Sequence, residues 1–315
     1  MPLDILTFGE ALAEIMRPDV DQPLDTPGPF VGPYPSGAPF IFAVQAARLG
    51  AKVAGVGAVG DDAFGKGFVE HLRADGVDTS GIRVLSGYST GVTFIAYSSD
   101  GSRDFVFHLR HAAAGQITPG MLDERLFDGL RLLHLNGSTL SINDQCLTTG
   151  LRALELARPT GAKISFDPNI RPQLMAVERA REAFAPFLAA ADIILPTEEE
   201  ALLLTGAPTI EQAASELLGQ HRARIVVVTH GKVGCTIYTH ETTQPIPGYT
   251  VEEVDPTGAG DCFDAGFLVR WLAGDTLADA GRFANACGAL AVTERGPMAG
   301  ARMLADVEAL MRSAT

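Results

Sequence analysis

The stretch Val254-Asp255-Pro256-Thr257-Gly258-Ala259-Gly260-Asp261-Cys262-Phe263 combines a glycine-rich turn, a helix start and a carboxylate. After Asp261 the apolar residues Phe263, Phe267, Leu268, Trp271 and Leu272 recur at helical spacing, so a helix starts at about Gly258 to Asp261. The first amides of a helix have no acceptor inside it and sit at the positive end of its dipole. Small residues at 258 to 260 therefore let an anion such as a phosphate approach the backbone. Asp261 is out of place for phosphate binding alone, because a carboxylate beside a phosphate repels it. It fits a group that takes a proton from a nucleophile attacking that phosphate, which is the logic of phosphoryl transfer. The same residues also fit an ordinary helix cap, since Asp and Gly commonly begin helices, and the local pattern leaves both readings open.

The elements that must hold this turn are those of a globular chain. With 315 residues and 46% hydrophobic side chains the chain can bury a large core. The net charge of −14 and the lack of Lys/Arg runs argue against a nucleic-acid surface. Cys146, Cys235, Cys262 and Cys287 are scattered without metal-ligand spacing, which suits reduced thiols in a cytoplasm. No run of 18 apolar residues and no basic, apolar leader suggests a membrane span or export. The histidines at 71, 221 and 240 read as surface positions.

Leu3 to Phe8 reads as a first strand, and the Pro- and Gly-rich run from Pro18 to Pro39 as either a flexible loop or part of a small substructure. A helix is expected from Ala38 to Gly50 and a strand from Lys52 to Val56. The segment Gly55-Val56-Gly57-Ala58-Val59-Gly60 matches the dinucleotide fingerprint G-x-G-x-x-G, which would imply an oxidoreductase. Against that reading, Asp75 and Asp78 follow the next helix directly, with no strand to present them to a ribose. Residues 91–98 and 103–110 alternate with period two across the turn Ser99-Asp100-Gly101-Ser102 and read as a hairpin, either in a small separate sheet or at the edge of a main one. From Arg131 onward strands and helices alternate, which argues for a mainly parallel sheet covered on both faces, with ligands at the carboxyl ends of its strands.

The 254–263 stretch resembles the D-x-T-G-A-G-D signature of the ribokinase-like (PfkB) carbohydrate kinases, and the order of the other segments is similar over nearly all of residues 1–315. The resemblance implies one α/β domain, three layers deep (α/β/α), with a small β-sheet lid formed by about residues 12–34 and 89–111. It implies an ATP- and Mg2+-dependent sugar kinase with Asp261 as base and Gly258, Ala259 and Gly260 as anion hole. Thr197-x-x-Glu200 is similar to the family's N-x-x-E motif, whose glutamate organises Mg2+ through water; as a bare motif it equally fits a helix cap. Thr229-x-Gly231-x-x-Gly234 resembles the nucleotide-binding turn, and the small-residue segment around Asn285 the adenine wall. The family also places a sugar-pocket support at Gly57, Gly60, Asp61, Asp62 and Gly65.

Ser36-Gly37-Ala38-Pro39-Phe40-Ile41 is similar to the sugar-side G-G-A-x-x-N segment, with Ser36 for Gly and Ile41 for an Asn that bonds a sugar hydroxyl. On the resemblance, Glu14, Gly37, Ala38, Arg110, Asn169, Arg171 and Asp261 contact the sugar. A K+ ion near Asp255, Thr257 and Gly296, and a homodimer through the lid, are options that relatives display. Asp167-x-Asn169-x-Arg171 with Arg110 resembles the 2-keto-3-deoxygluconate kinase and fructokinase branches. The charge of Arg110 and Arg171 slightly favours the sugar acid over a ketohexose such as fructose or tagatose. A non-catalytic sugar-binding protein on the same fold is a further alternative.

Overall fold

In the computed structural model, which describes residues 2–219 and 222–313, the chain runs β1 (Ile5–Glu10), β2 (Leu12–Met16), β3 (Val31–Ser36), α1 (Ala38–Arg48), β4 (Val53–Gly60), α2 (Ala63–Ala74), β5 (Asp78–Leu85), β6 (Gly91–Tyr97) and β7 (Arg103–His108). It continues as β8 (Leu132–Asn136), α3 (Gly137–Leu140), α4 (Asp144–Ala157), β9 (Lys163–Asp167), α5 (Val177–Ala190), β10 (Ile193–Ile194), α6 (Glu198–Thr205) and α7 (Ile210–Gly219). The last elements are β11 (Ile225–Thr229), β12 (Gly234–Tyr238), β13 (Thr243–Pro247), α8 (Ala259–Ala273), α9 (Leu277–Ala291) and α10 (Leu304–Ser313). His221 lies outside the described residues.

Nine strands form one sheet in the order β13-β12-β11-β10-β9-β8-β1-β4-β5, parallel from β5 to β11 with β12 and β13 antiparallel at one edge. Its central strands are apolar on both faces, as covered parallel strands must be, and β1 is buried along its whole length. One core packs Leu133, Leu135 and Phe166 of the sheet against Phe184 and Phe187 of α5. The other packs Ile5 and Val53 against Phe40 and Val44 of α1 and Phe263 and Phe267 of α8. This is a ribokinase-like α/β fold. Among the described residues no helix is long and apolar enough to cross a membrane, and all four cysteines are free and buried.

The hairpin joins β2 and β3 in a separate sheet ordered β3-β2-β6-β7, not the edge of the main one. The Pro- and Gly-rich run is wound around one buried side chain. The Arg17 guanidinium donates to the carbonyls of Pro29 (3.0 Å), Pro23 (2.9 Å) and Thr26, and lies 3.9 Å over the Phe30 ring.

The dinucleotide reading of Gly55 to Gly60 is overturned, because all six residues lie inside β4 and form no strand-to-helix turn. These glycines are small to make room. A Cβ at Gly55 or Gly57 would fall 2.6 or 2.8 Å from the Phe40 ring, and one at Gly60 2.5 Å from the Thr90 backbone. Asp62 is the N-cap of α2, bonded to the amides of Gly65 (2.9 Å) and Thr90 (2.7 Å). Strand β5, absent from the sequence expectations, is an edge strand with several exposed residues, so its pattern lacks the apolar run that marks the inner strands.

Candidate active site

Helix α8 begins at Gly258, whose φ of 80° lies in the left-handed region. Only there can the chain turn from Pro256 into the helix without a Cβ penalty. The first amide returned to the turn is that of Cys262, bonded to the Gly258 carbonyl at 2.9 Å, so the amides before it lack an intrahelical carbonyl. They open on a cavity of about 800 Å3, a size suited to a small-molecule site. The cavity brings together Gly258, Ala259, Gly260 and Asp261 with Thr197, Glu200, Thr229, Gly231, Gly234, Asn285, Asn169 and Arg171. These come from the carboxyl ends of β9, β10 and β11 and from α8 and α9.

Asp261 is 9% exposed, and its Oδ1 has no hydrogen-bond partner. Burial pushes its carboxyl up to about 7; the Arg171 charge opposes this, and Glu10 and Glu14 add to it. Around it stand further buried carboxylates. Asp167 accepts from Asn136 Nδ2 (2.8 Å) and from Asn169 N and Nδ2 (both 3.0 Å). Burial, with the charges of Glu200 and Asp261, holds its carboxyl well above the usual range. Asp264, one helical turn beyond Asp261, is raised by burial and then by Asp167, Asp261 and Glu200. Such mutual repulsion is relieved by a cation. Among the described residues no three His, Cys, Asp or Glu side chains converge as direct metal ligands.

Glu200 completes a capping box on α6: it accepts from Thr197 N (2.9 Å) and Thr197 Oγ1 (3.0 Å), and its other oxygen accepts from Ile170 N (2.8 Å). The structure shows the cap, which fixes the Glu200 carboxylate at the cavity wall. On the opposite side, Asn285 Nδ2 donates to the carbonyls of Ile246 (3.1 Å) and Pro247 (3.0 Å), clamping the end of β13 beside the cavity. Gly234 is a packing glycine: its Cβ would fall 2.1 Å from the Ile246 carbonyl.

Glu14, Gly37, Ala38 and Arg110 do not line this cavity. Glu14 is buried, accepting from Ser36 Oγ at 2.9 Å, and burial raises its carboxyl to about 7 although Arg103 and Arg171 act on it. Its Oε1 has no partner, and neither has Asn169 Oδ1. Gly37, with a φ of 118°, caps α1 so tightly that a Cβ would fall 1.9 Å from the Glu10 carbonyl, and Ala38 is the first residue of α1. Arg110 is exposed, and its guanidinium donates to the Ile142 carbonyl at 3.2 Å. The cation that the small sheet does bring to the cavity is Arg103, with Phe105 beside it and Arg171 5.9 Å over the Phe105 ring. Their alternation on β7 was the available signal. Ile41 is buried under the turn, with its Cγ2 3.0 Å from where a Gly258 Cβ would lie.

Asp255, Thr257 and Gly296 lie together outside the cavity. The Asp255 carboxylate accepts from Thr257 N (3.0 Å), Gly296 N (2.8 Å) and Tyr97 Oη (2.8 Å).

A family model described as pfkB family carbohydrate kinase matches residues 3–302. Fructokinase-1 of Oryza sativa subsp. japonica is 34% identical over 98% of this chain and 98% of its own length. An E. coli protein provisionally assigned as Ribokinase II, solved with ATP and Mg2+, is 39% identical over 99% of each chain, with a TM-score of 0.92. The fructokinase of Vibrio cholerae O395, solved with fructose, ADP and calcium, is 28% identical over 98% of this chain and 99% of that one, with a TM-score of 0.86.

Proposed function

Since this chain belongs to the pfkB family of carbohydrate kinases, we propose that it transfers the γ-phosphate of ATP to a hydroxyl of a neutral ketohexose such as fructose. The observation that carries the choice of sugar is the pair of cavity-lining acceptor oxygens without a protein donor, Asn169 Oδ1 and Asp261 Oδ1. Sugar hydroxyls supply donors. A sugar carboxylate would instead add negative charge where Arg171 already answers to Glu14, Asp167 and Asp261 and Arg103 to Glu14, and Arg110 stands outside the cavity. The fructokinase relatives support the same choice.

In this reading Asp261 Oδ1 takes the proton from the acceptor hydroxyl as its oxygen bonds to the γ-phosphorus, the bond to the ADP oxygen breaks, and the proton leaves later to solvent. Gly258, Ala259 and Gly260 present amides to the transferred phosphoryl group, and Arg171 adds charge. Thr229, Gly231, Gly234 and Asn285 shape the nucleotide end of the cavity, with Gly288 and Ala289 as a wall that a flat ring can approach. Mg2+, when bound, neutralises phosphate charge; Glu200 and Asp264 would hold its waters. The small sheet acts as the lid that excludes water. Its outer face exposes Phe30 and Val106, where a homodimer would pair.

The test is a coupled assay of ADP formation over neutral ketoses and sugar acids. The expected result is the highest kcat/KM with a ketohexose; a higher value with 2-keto-3-deoxygluconate would hand the assignment to the sugar acid, and no turnover of any sugar to a non-catalytic binder. Glu200→Gln should raise the Mg2+ concentration at half-maximal rate by roughly 10-fold, as loss of a group behind the metal's ligands commonly does. An unchanged titration would leave Glu200 as a helix cap alone.

A further inference from the structure

The small sheet meets the main domain along a seam that the chemistry above does not use. Tyr97, the last residue of β6, donates from Oη to Asp255 Oδ1 at 2.8 Å and also touches Thr257 Oγ1. Asp255 is 2% exposed, and its carboxylate splints the loop before α8 through the amides of Thr257 and Gly296. The other contacts of the seam are weaker in chemistry: the Tyr34 ring of β3 lies against Gly296, and Arg295 Nη2 donates to the Pro18 carbonyl at 3.0 Å. Thr257 directly precedes Gly258, so the loop gripped by Tyr97 is the one that enters the phosphate turn.

We propose that Tyr97 is a positioning residue that makes the working geometry of the 258–261 turn depend on docking of the small sheet. This rests on the reading of Asp261 as the base of a sugar kinase. With the sheet docked, Asp255 has a donor from each side and the loop is held. With it lifted, a buried charged acceptor loses one donor to solvent, and the loop relaxes away from the geometry that aligns the amides with a phosphate. The phosphoryl group is then aligned for transfer only when the sheet covers the acceptor, which protects ATP from water.

Tyr97→Phe in the full chain removes the hydroxyl and keeps the ring. With ATP and fructose, kcat should fall by about 10- to 100-fold while the KM for ATP stays within about 3-fold, because alignment and not nucleotide binding is lost. The ratio of ADP released to fructose phosphorylated should rise above that of the unmodified protein. Asp255→Ala, which removes this acceptor together with that of the Thr257 and Gly296 amides, should cost at least as much, and the double variant should lose no more than Asp255→Ala alone, since the Tyr97 hydroxyl then has no carboxylate left to hold. A wild-type kcat and ratio in Tyr97→Phe overturns the proposal, whether or not its Tm falls, and so do losses that multiply in the double variant. Failure of the kinase reading shows elsewhere, as no phosphate transfer by the unmodified chain, and sinks both.

Discussion

Asp261→Asn is expected to lower kcat by roughly 10² to 10⁴ while ATP binding stays nearly intact, because the variant keeps the shape of the side chain and removes its ability to take a proton. The same change should stabilise the fold. Burial raises the Asp261 carboxyl from the usual 3.8 to about 7. Between those values the folded chain holds a proton that the unfolded chain has lost, so stability falls as pH rises from about 3.8 to about 7 and levels off above, where the carboxylate is charged in place. Asparagine has no charge to bury, so the Tm of the variant at pH 8 should exceed that of the unmodified protein by roughly 2 to 6 °C. Below about pH 3.8, where the carboxyl is protonated folded and unfolded alike, the two should converge. Catalysis by the unmodified protein runs the other way, with kcat/KM falling as pH drops below about 7, because the base must be ionised to act. Steady-state rates and thermal melts on one pair of proteins test all of this, and an unchanged kcat in the variant would remove Asp261 from the mechanism.

Gly258→Ala is expected to cost about 10²-fold in kcat together with a loss of roughly 1 to 3 kcal/mol in stability. Its φ of 80° is unfavourable for alanine, and the added Cβ would fall 2.5 Å from the Pro297 carbonyl and 3.0 Å from Ile41 Cγ2. Neither neighbour is the free end of a flexible side chain, so the turn itself must shift. Gly260→Ala is the contrast: its Cβ would meet nothing within 4 Å of it and it lies on the cavity wall. That variant should melt like the unmodified protein and show its defect only in the KM for ATP, since the methyl group stands where the nucleotide phosphates would approach. Gly258→Ala with unaltered kcat and Tm would mean that the turn tolerates displacement, and the anion-hole role of residues 258–260 would go with it.

The phosphate turn was legible because its chemistry is local. A left-handed glycine, a helix start and a carboxylate three residues on are all fixed by neighbours in the chain. The same holds for the Thr197/Glu200 capping box and for the alternation of β6 and β7, where spacing alone decides which side chains share a face. Where distant segments meet, spacing misleads. Gly55 to Gly60 matched a nucleotide fingerprint, but the glycines are there because Phe40 of α1 lies across β4 and leaves no room for a Cβ.

The sequence singled out Arg110 as the lid cation and left Arg103 unremarked. Strand register decided between them, since Arg103 shares the cavity-facing side of β7 with Phe105 while Arg110 falls beyond the strand and bonds Ile142. Asp264 was hidden among the apolar residues of α8 until the fold set it beside Asp167 and Glu200. The residue types and spacing of this chain thus determined most of the elements, the 258–261 turn and the buried carboxylate proposed as its base. Which carboxylates crowd that base, which arginine reaches it and which tyrosine grips its loop were decided by packing between segments up to some 160 positions apart, as in the Tyr97 to Thr257 contact. Short-range periodicity sets only the faces of an element; the volume and charge of whatever packs against them choose their partners.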